Sequence, residues 1–135
     1  TDDRRKRARS VTGAPRPKRV RAQRWGHYAE MLAALYLRAK GYRILTRRWR
    51  CPAGEVDIIA WKGGILIGVE VKARRTDRDD AINAVTPRTR QRIERAMDFY
   101  MARHGSFENA GLRFDIIAMI GWRPHHLPDA WRPWD

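Results

Sequence analysis

The fold of this chain is decided by the stretch GEVDIIAWKGGILIGVEVK, residues 54–72. Two apolar-rich segments, 55–61 and 65–72, flank Lys62-Gly63-Gly64. A Gly-Gly pair between β-forming segments is typical of a tight hairpin turn, so we predict two antiparallel strands with Lys62 facing Ile65. One face of this hairpin is then apolar, with three cross-strand pairs: Val56/Val71, Ile58/Val69 and Ala60/Ile67.

The other face of the predicted hairpin places two carboxylates side by side. Asp57 lies opposite Glu70, and Glu55 lies opposite Lys72. Adjacent carboxylates repel each other and destabilise a bare sheet, so a positive charge has to compensate. That charge could be the Lys72 ammonium, two residues after Glu70, or a divalent cation held by both carboxylates. The two can also act together.

A carboxylate pair of this kind suits a hard cation such as Mg²⁺. We expect the backbone carbonyl of Val71, between the two functional side chains, to be a third ligand. A water molecule beside the cation and Lys72 would then be a nucleophile aimed at a phosphodiester, because both positive charges stabilise the developing negative charge. The competing interpretation is a solvated surface face with a Glu55–Lys72 ion pair.

Upstream of the hairpin, residues 25–40 predict a helix that is rich in Ala and Leu and apolar nearly all round. Such a helix is expected to be buried on more than one side. Glu30 lies among its small and apolar residues, where an unpaired charge is costly. We expect Glu30 to reach the hairpin metal directly or through water, or else to pair with an arginine such as Arg38 or Arg43. His27, one helical turn before Glu30, either contacts phosphate or is a packed or exposed residue outside the site, and we expect the second.

The remaining elements complete an α/β pattern. Residues 42–50 predict an outer strand, 73–80 a charged loop, 86–104 a second helix capped by Thr86, and 112–120 a further strand. The tail beyond Gly121 has no defined structure in the sequence. We predict a mixed central β-sheet flanked by helices.

The chain carries 29 Lys and Arg against 15 Asp and Glu, a formal net charge of +14, which makes nucleic acid the expected partner. No apolar run is long enough for a membrane span, and the single cysteine, Cys51, excludes an internal disulfide. We therefore expect a cytoplasmic protein. Residues 1–24 are predicted to be a disordered basic arm ahead of one folded domain, residues 25–135. The arm either binds phosphates non-specifically or is a solvated leader without a defined role.

Several stretches of the chain resemble the YraN family of small bacterial proteins, which are similar to the PD-(D/E)xK nuclease superfamily. The Gly-Glu-x-Asp and Val-Glu-Val-Lys blocks of the hairpin are the most specific part of the resemblance. One departure is Arg47-Arg48-Trp49, a stretch where the family often has an asparagine. The matching stretches are residues 26–30, 34–37, 41–42, 54–60, 69–74 and 113–115.

The resemblance implies a restriction-endonuclease-like fold over residues 25–135, also akin to the archaeal Holliday-junction resolvases. It implies a nuclease dependent on Mg²⁺ or Mn²⁺ that cuts DNA, with branched or recombination intermediates among its candidate substrates. The catalytic residues would be Glu30, Asp57, Glu70 and Lys72. The metal would be surrounded by Asp57, Glu70, Val71 and Glu30. Nucleic-acid contacts are expected from Arg74, Arg75, Arg88, Arg90 and Arg92. The alternative is a non-catalytic nucleic-acid-binding module, and a homodimer is left open.

Overall fold

A computed structural model describes residues 17–75 and 77–134 of the chain, with side chains from residue 25 onward. In this part of the chain a long helix is followed by three strands, two helices and two further strands. The elements are α1 (Pro17–Ala39), β1 (Arg43–Cys51), β2 (Gly54–Lys62), β3 (Ile65–Arg74), α2 (Arg78–Asn83), α3 (Pro87–Arg103), a 3₁₀ turn (Gly105–Phe107), β4 (Gly111–Ile120) and β5 (Arg123–Trp131).

The described strands form one mixed sheet in the order β1-β2-β3-β4-β5. β1, β2 and β3 are antiparallel neighbours, β3 and β4 run parallel, and β5 returns antiparallel along β4. One buried cluster lies between the sheet and α1, and a second lies between the sheet and α3. The predicted α/β fold, a mixed central sheet flanked by helices, is confirmed.

The hairpin of β2 and β3 forms in the predicted register around its turn. Lys62 pairs with Ile65, as the Gly-Gly turn requires. Gly63 and Gly64 have φ angles of 58° and 81°. These left-handed conformations are accessible to glycine without a steric cost, which is why this dipeptide specifies the turn.

The predicted pairing of Val56 with Val71 is wrong. The β2–β3 ladder ends at the pair Ile58–Val69, so the strands separate before Val56 and Val71 can meet. Val56 packs in the cluster on the α3 side, whereas Val71 packs in the cluster on the α1 side. The hairpin therefore opens at the end that carries its carboxylates.

Helix α1 begins at Pro17, well before residue 25. The predicted boundary at residue 24 is therefore not a boundary of secondary structure: residues 17–24 are helical, and residues 1–16 lie outside the described part of the chain. Proline has the φ angle that a first helical turn needs, and the Lys, Arg, Ala and Gln residues that follow favour helix.

The prediction that α1 is buried on more than one side is wrong. Ala33 and Leu37 are buried against the sheet, but Tyr28, Met31 and Leu35 are exposed. The helix packs on one face of the sheet through Leu37 and its alanines, whereas Tyr28, Met31 and Leu35 point the other way. An exposed apolar stripe therefore follows the outer side of α1.

Two segments without a predicted element are regular. The C-terminal tail forms β5 although it contains Pro124 and Pro128, which cannot donate to a ladder. β5 tolerates them because it is an edge strand, where a missing donor can face away from the sheet. Within the predicted loop of residues 73–80, Asp77 begins helix α2 by accepting hydrogen bonds from two backbone N–H groups of its first turn.

Helix α3 confirms the second predicted helix and positions the start of β2. Thr86 accepts a hydrogen bond from the Thr89 N–H and caps the helix. Farther along, β2 approaches the helix so closely that a Cβ atom on Gly54 would lie 2.0 Å from the carbonyl oxygen of Arg92. Only glycine permits this approach, which places the strand segment leading to Asp57.

Candidate active site

The predicted carboxylate pair lies where β2 and β3 separate. Asp57 and Glu70 occupy the next position of the hairpin beyond its last ladder pair, Ile58–Val69. Oδ2 of Asp57 accepts a hydrogen bond from the Val71 N–H at 2.8 Å, so a side chain takes the place of a backbone acceptor from the opposite strand. The two carboxyl groups also interact with each other through a side-chain hydrogen bond. The structure thus brings together the two residues that the register predicts to be neighbours.

Glu70 is buried and Asp57 is half-buried, which makes the ionisation of both carboxyl groups costly. Glu70 is only 8% exposed. Burial, and next the negative charge of Asp57, raise the pKa of Glu70 to about 9, with a smaller opposing effect of Lys72. Burial also raises the pKa of Asp57. Hydrogen bonds with Glu70 and the Val71 N–H lower this pKa, and the negative charge of Glu30 raises it further. The pair therefore retains a proton at neutral pH unless another positive charge replaces it.

Lys72 lies beside the pair, on the same face as Glu70. Its Nζ is 3.4 Å from Oε1 of Glu70, and its side chain is 28% exposed, so the ammonium reaches solvent. The predicted pairing of Glu55 with Lys72 is wrong, because the ladder ends before Glu55. Glu55 instead lies 3.3 Å from Nε of Arg50 on β1. One ammonium beside two carboxylates leaves a net negative charge when both are ionised.

Glu30 is held by an arginine that the sequence patterns do not reveal. Nε of Arg48 donates to Oε2 of Glu30 at 2.6 Å, whereas Arg38 or Arg43 was the expected partner. Nη2 of Arg48 donates to Nδ1 of His27. Arginine can only donate, so Nδ1 of His27 is the acceptor in this contact. His27, expected to lie outside the site, is therefore connected to it.

Arg48 also has an unusual backbone conformation. Its φ angle is 54°, in the left-handed region that asparagine tolerates better than residues with long side chains. An arginine in a stretch where the resembled family often has asparagine is the signal by which this residue could have been noticed. Arg48 lines an open cleft of about 480 Å³ together with His27, Glu30 and Asp57. A strained arginine thus forms part of the wall of the candidate site.

The donor set fits a hard cation. The N–H and C=O of a strand residue point to the same side, so the Val71 carbonyl faces the gap that its N–H faces. Within the described residues, no three His, Cys, Asp or Glu side chains are arranged to hold a metal ion. A cation would therefore depend on Asp57, Glu70, the Val71 carbonyl and water, a set that Mg²⁺ accepts. Glu30 is turned towards Arg48, and its direct contact with a metal stays a prediction.

The two arginines at the end of β3 differ in their surroundings. Nη1 of Arg74 donates to the Ala73 carbonyl at 2.7 Å, and its Nε lies 3.5 Å from Asp80 of α2. Arg75 is exposed. Arg74 thus connects β3 to α2, and Arg75 is the more accessible cation. Contact of either with nucleic acid stays a prediction.

The three candidate arginines of α3 separate in the same way. Arg88 and Arg92 are exposed. Arg90 donates to the Val85 carbonyl at 3.2 Å, and its guanidinium lies over the ring of Trp131, 5.4 Å from the ring centroid. Arg88 and Arg92 are thus the accessible cations among the three, whereas Arg90 packs on Trp131; contact of any of them with nucleic acid stays a prediction.

A second polar cluster lies between β4 and β5, around the fully buried Asp115. Its carboxylate accepts hydrogen bonds from Arg113 at 2.8 Å, His126 Nε2 at 2.7 Å and the Asp129 N–H at 2.9 Å. Burial opposes ionisation, but these hydrogen bonds together hold the pKa of Asp115 below its usual value. The cluster fastens the edge strand to the sheet, which gives residues 113–115 a structural role.

The chain is thus a small α/β protein with a mixed sheet. Its candidate site consists of an Asp-Glu pair, in which the glutamate is buried, and a neighbouring lysine. The model of a family described as Uncharacterised protein family UPF0102 matches residues 29–119, which include all the predicted site residues. The chain belongs to this family, which is the YraN family that its sequence resembles.

Curated relatives match most of the chain. The UPF0102 protein of Rhizobium meliloti (strain 1021) is 46% identical over 117 residues, covering 86% of this chain and 95% of that protein. The UPF0102 protein of Paramagnetospirillum magneticum (strain AMB-1) is 49% identical over 116 residues, covering 82% and 89%. The UPF0102 protein of Caulobacter vibrioides (strain NA1000) is 44% identical over 122 residues, covering 90% and 97%. Among the helices in the described residues, none has the length and apolar character needed to cross a membrane.

Proposed function

We propose that this protein is a metal-dependent nuclease that hydrolyses phosphodiester bonds in DNA. The observation that carries the proposal is the pair of buried Glu70 and half-buried Asp57 at the open end of the hairpin, with Lys72 Nζ 3.4 Å from Glu70. Carboxylates repel phosphates, so a surface that only binds nucleic acid gains nothing from such a pair. In a chain with a net charge of +14, the pair is best explained as the place where a cation meets a phosphodiester.

Asp57, Glu70 and the Val71 carbonyl would hold Mg²⁺ or Mn²⁺. When bound, the cation polarises a phosphoryl oxygen and stabilises the negative charge that develops during hydrolysis. The raised pKa of each carboxyl supports this assignment, because a cation relieves the repulsion that otherwise keeps a proton on the pair. The two side chains are positioned before any ligand arrives, since the Val71 N–H fixes Asp57 and Lys72 contacts Glu70.

Lys72 would orient the attacking water and stabilise the developing charge on the phosphate. Its ammonium contacts Glu70 and still reaches solvent, so it can meet both a water molecule and a substrate oxygen. A donor that is already in place costs no reorganisation as charge develops. A compact ammonium suits this position better than the wider, forked guanidinium of arginine.

Arg48 would bind the phosphate backbone of the DNA strand that is cleaved, at the wall of the cleft. Its guanidinium is held by Glu30 and His27, so it presents a positive charge at a defined position. An arginine in this setting is well suited to phosphate oxygens, because its planar donor group can bind two oxygens at once. Glu30, held by Arg48, would act on the cation through water.

The test is cleavage of linear, flapped and four-way DNA by the purified chain with Mg²⁺ or Mn²⁺. We expect metal-dependent products from at least one substrate and none from Glu70→Ala. Glu108→Ala is the matched control, since Glu108 is exposed beside the 3₁₀ turn and should retain wild-type activity. A non-catalytic binding module would bind these substrates without forming products. That outcome, or full activity of Glu70→Ala, would overturn the proposal.

A further inference from the structure

A row of three aromatic side chains, two of them exposed and one half-buried, lies beside the candidate site, and the proposed reaction does not use it. Trp25 of α1 and Trp122 of the turn between β4 and β5 are in edge-to-face contact, with ring centroids 4.8 Å apart. Trp122 is 68% exposed. Tyr28, one helical turn after Trp25, is 51% exposed. Rings of this size are mostly buried in folded proteins, so two exposed rings beside the half-buried Trp25 indicate a binding partner.

The row is attached to two of the elements that carry the site, β3 and α1. The Gly121 N–H donates to the Arg74 carbonyl at 3.0 Å, which fixes the turn with Trp122 at the end of β3. This point lies about 7 Å beyond Lys72, from the rise per residue of a strand. The α1 end of the row precedes Glu30 by about 7.5 Å of helical rise. A nucleic-acid strand whose backbone enters the cleft can therefore reach the row within a few nucleotides.

The surroundings of the row are basic. Arg75 at the end of β3 and Arg123, directly after Trp122, are both exposed. Two copies of this chain packed through the row would bring like charges together, whereas a nucleic-acid strand would neutralise them. The residues of α1 that precede Trp25 also include four basic ones, Lys18, Arg19, Arg21 and Arg24.

We propose that Trp25, Tyr28 and Trp122 bind unpaired bases of the nucleic-acid strand whose backbone enters the cleft. This inference rests on the proposed function, because the row and the cleft are taken to hold the same strand. Aromatic rings stack on bases of any sequence, but a base offers its face only where it is not paired and stacked in a duplex. The substrate class would be single-stranded or branched nucleic acid with an unpaired segment beside the cleavage site.

The test measures binding without cleavage, by fluorescence anisotropy of labelled oligonucleotides in the presence of EDTA. Short oligo(dT), oligo(U) and a blunt duplex are compared for the wild type, Trp122→Ala, Trp122→Leu and Trp122→Phe. Trp134→Ala is the matched control: Trp134 is 59% exposed, but it lines a cleft with Ile65 at the hairpin-turn end of the sheet. Thermal melts of every variant accompany the titrations.

Trp122→Ala and Trp122→Leu should weaken single-strand binding by roughly 5- to 150-fold, the range expected for the loss of one stacked base. Trp122→Phe should stay within about 3-fold of the wild type, because it keeps an aromatic face. Duplex binding should change little, and Trp134→Ala should behave as wild type. If Trp122→Ala melts early, the comparison of Leu with Phe still separates stacking from apolar contact.

Three results would overturn the inference. The first is single-strand affinity in Trp122→Leu equal to that of Trp122→Phe. The second is an equal loss for single strand and duplex. The third is a wild-type dimer in sedimentation that Trp122→Ala loses while its nucleic-acid binding is unchanged. That result would assign the row to contact with a second copy of the chain. Because binding is measured without metal, a wild type that cleaves no DNA would refute the nuclease proposal and leave the stacking result to be judged separately.

Discussion

Replacing Glu70 by glutamine should stabilise the metal-free fold, and the gain should grow with pH. Glu70 is 8% exposed and lies beside Asp57, so its ionised form is opposed by burial and by a like charge. Glutamine keeps the shape of the side chain and its hydrogen-bonding capacity without the charge. The variant therefore removes the repulsion and leaves the packing in place.

The magnitude follows from the pKa of Glu70, which rises from 4.5 to about 9 in the folded state. Between these values the folded protein holds a proton that the unfolded chain releases, so wild-type stability falls as pH rises through this window. Each pH unit changes the free energy of unfolding by up to about 1.4 kcal/mol. The upper limit of the cost is therefore about 3 kcal/mol at pH 7, with little cost near pH 4.5.

The assay is urea unfolding of wild type, Glu70→Gln and the control Glu108→Gln in EDTA at several pH values from 5 to 8.5. We expect Glu70→Gln to become progressively more stable than the wild type as pH rises, and Glu108→Gln to stay within about 0.5 kcal/mol. Adding Mn²⁺ should stabilise the wild type and not Glu70→Gln, because the cation binds the folded carboxylate pair. Parallel pH profiles for wild type and Glu70→Gln would refute the argument that the two carboxylates repel each other in the fold.

Three further predictions concern the surroundings of the site. Arg48→Asn should keep the stability within about 1 kcal/mol of the wild type, because asparagine suits the left-handed backbone but leaves Glu30 without its ion pair. The variant should weaken DNA binding; chemical unfolding and salt titrations measure the two effects, and unchanged DNA binding would contradict the phosphate contact proposed for Arg48. Deleting residues 1–16 should lower the slope of log affinity against log salt while any cleavage persists, and an unchanged slope would show that this segment does not contact phosphate. Gly54→Ala should lower the free energy of unfolding by more than about 2 kcal/mol, because its Cβ would lie 2.0 Å from the Arg92 carbonyl oxygen. Gly26→Ala has open space around its Cβ and should raise the free energy of unfolding by about 0.5 kcal/mol in the same chemical unfolding experiments.

The hairpin and the carboxylate pair could be predicted from sequence because they depend on local information. Gly63-Gly64 specifies the turn, the turn specifies the register, and the register makes Asp57 and Glu70 neighbours. The end of the ladder could not be predicted in the same way. There the Asp57 side chain accepts the Val71 N–H, and no propensity or periodicity reports that a side chain takes the role of a backbone acceptor.

Contacts between distant elements account for most of what the sequence could not show. Arg48 reaches Glu30 from another element, and the contact depends on a left-handed residue within β1. β5 contains Pro124 and Pro128, which local rules read against a strand. β5 forms because it pairs with the edge of β4 and because Asp115 binds it through side-chain hydrogen bonds, which local sequence patterns do not predict.

Single-turnover cleavage of DNA by Lys72 variants with Mg²⁺ tests the central claim most directly. If Lys72 orients the attacking water and stabilises the phosphate, Lys72→Ala should bind DNA and metal as the wild type does but lose turnover by about 100-fold or more, and Lys72→Arg should not restore it. If Lys72 only neutralises Glu70, Lys72→Arg should cleave at the wild-type rate and Lys72→Ala should mainly lower stability. An arginine variant with full activity, or a wild type without metal-dependent cleavage, would contradict the account.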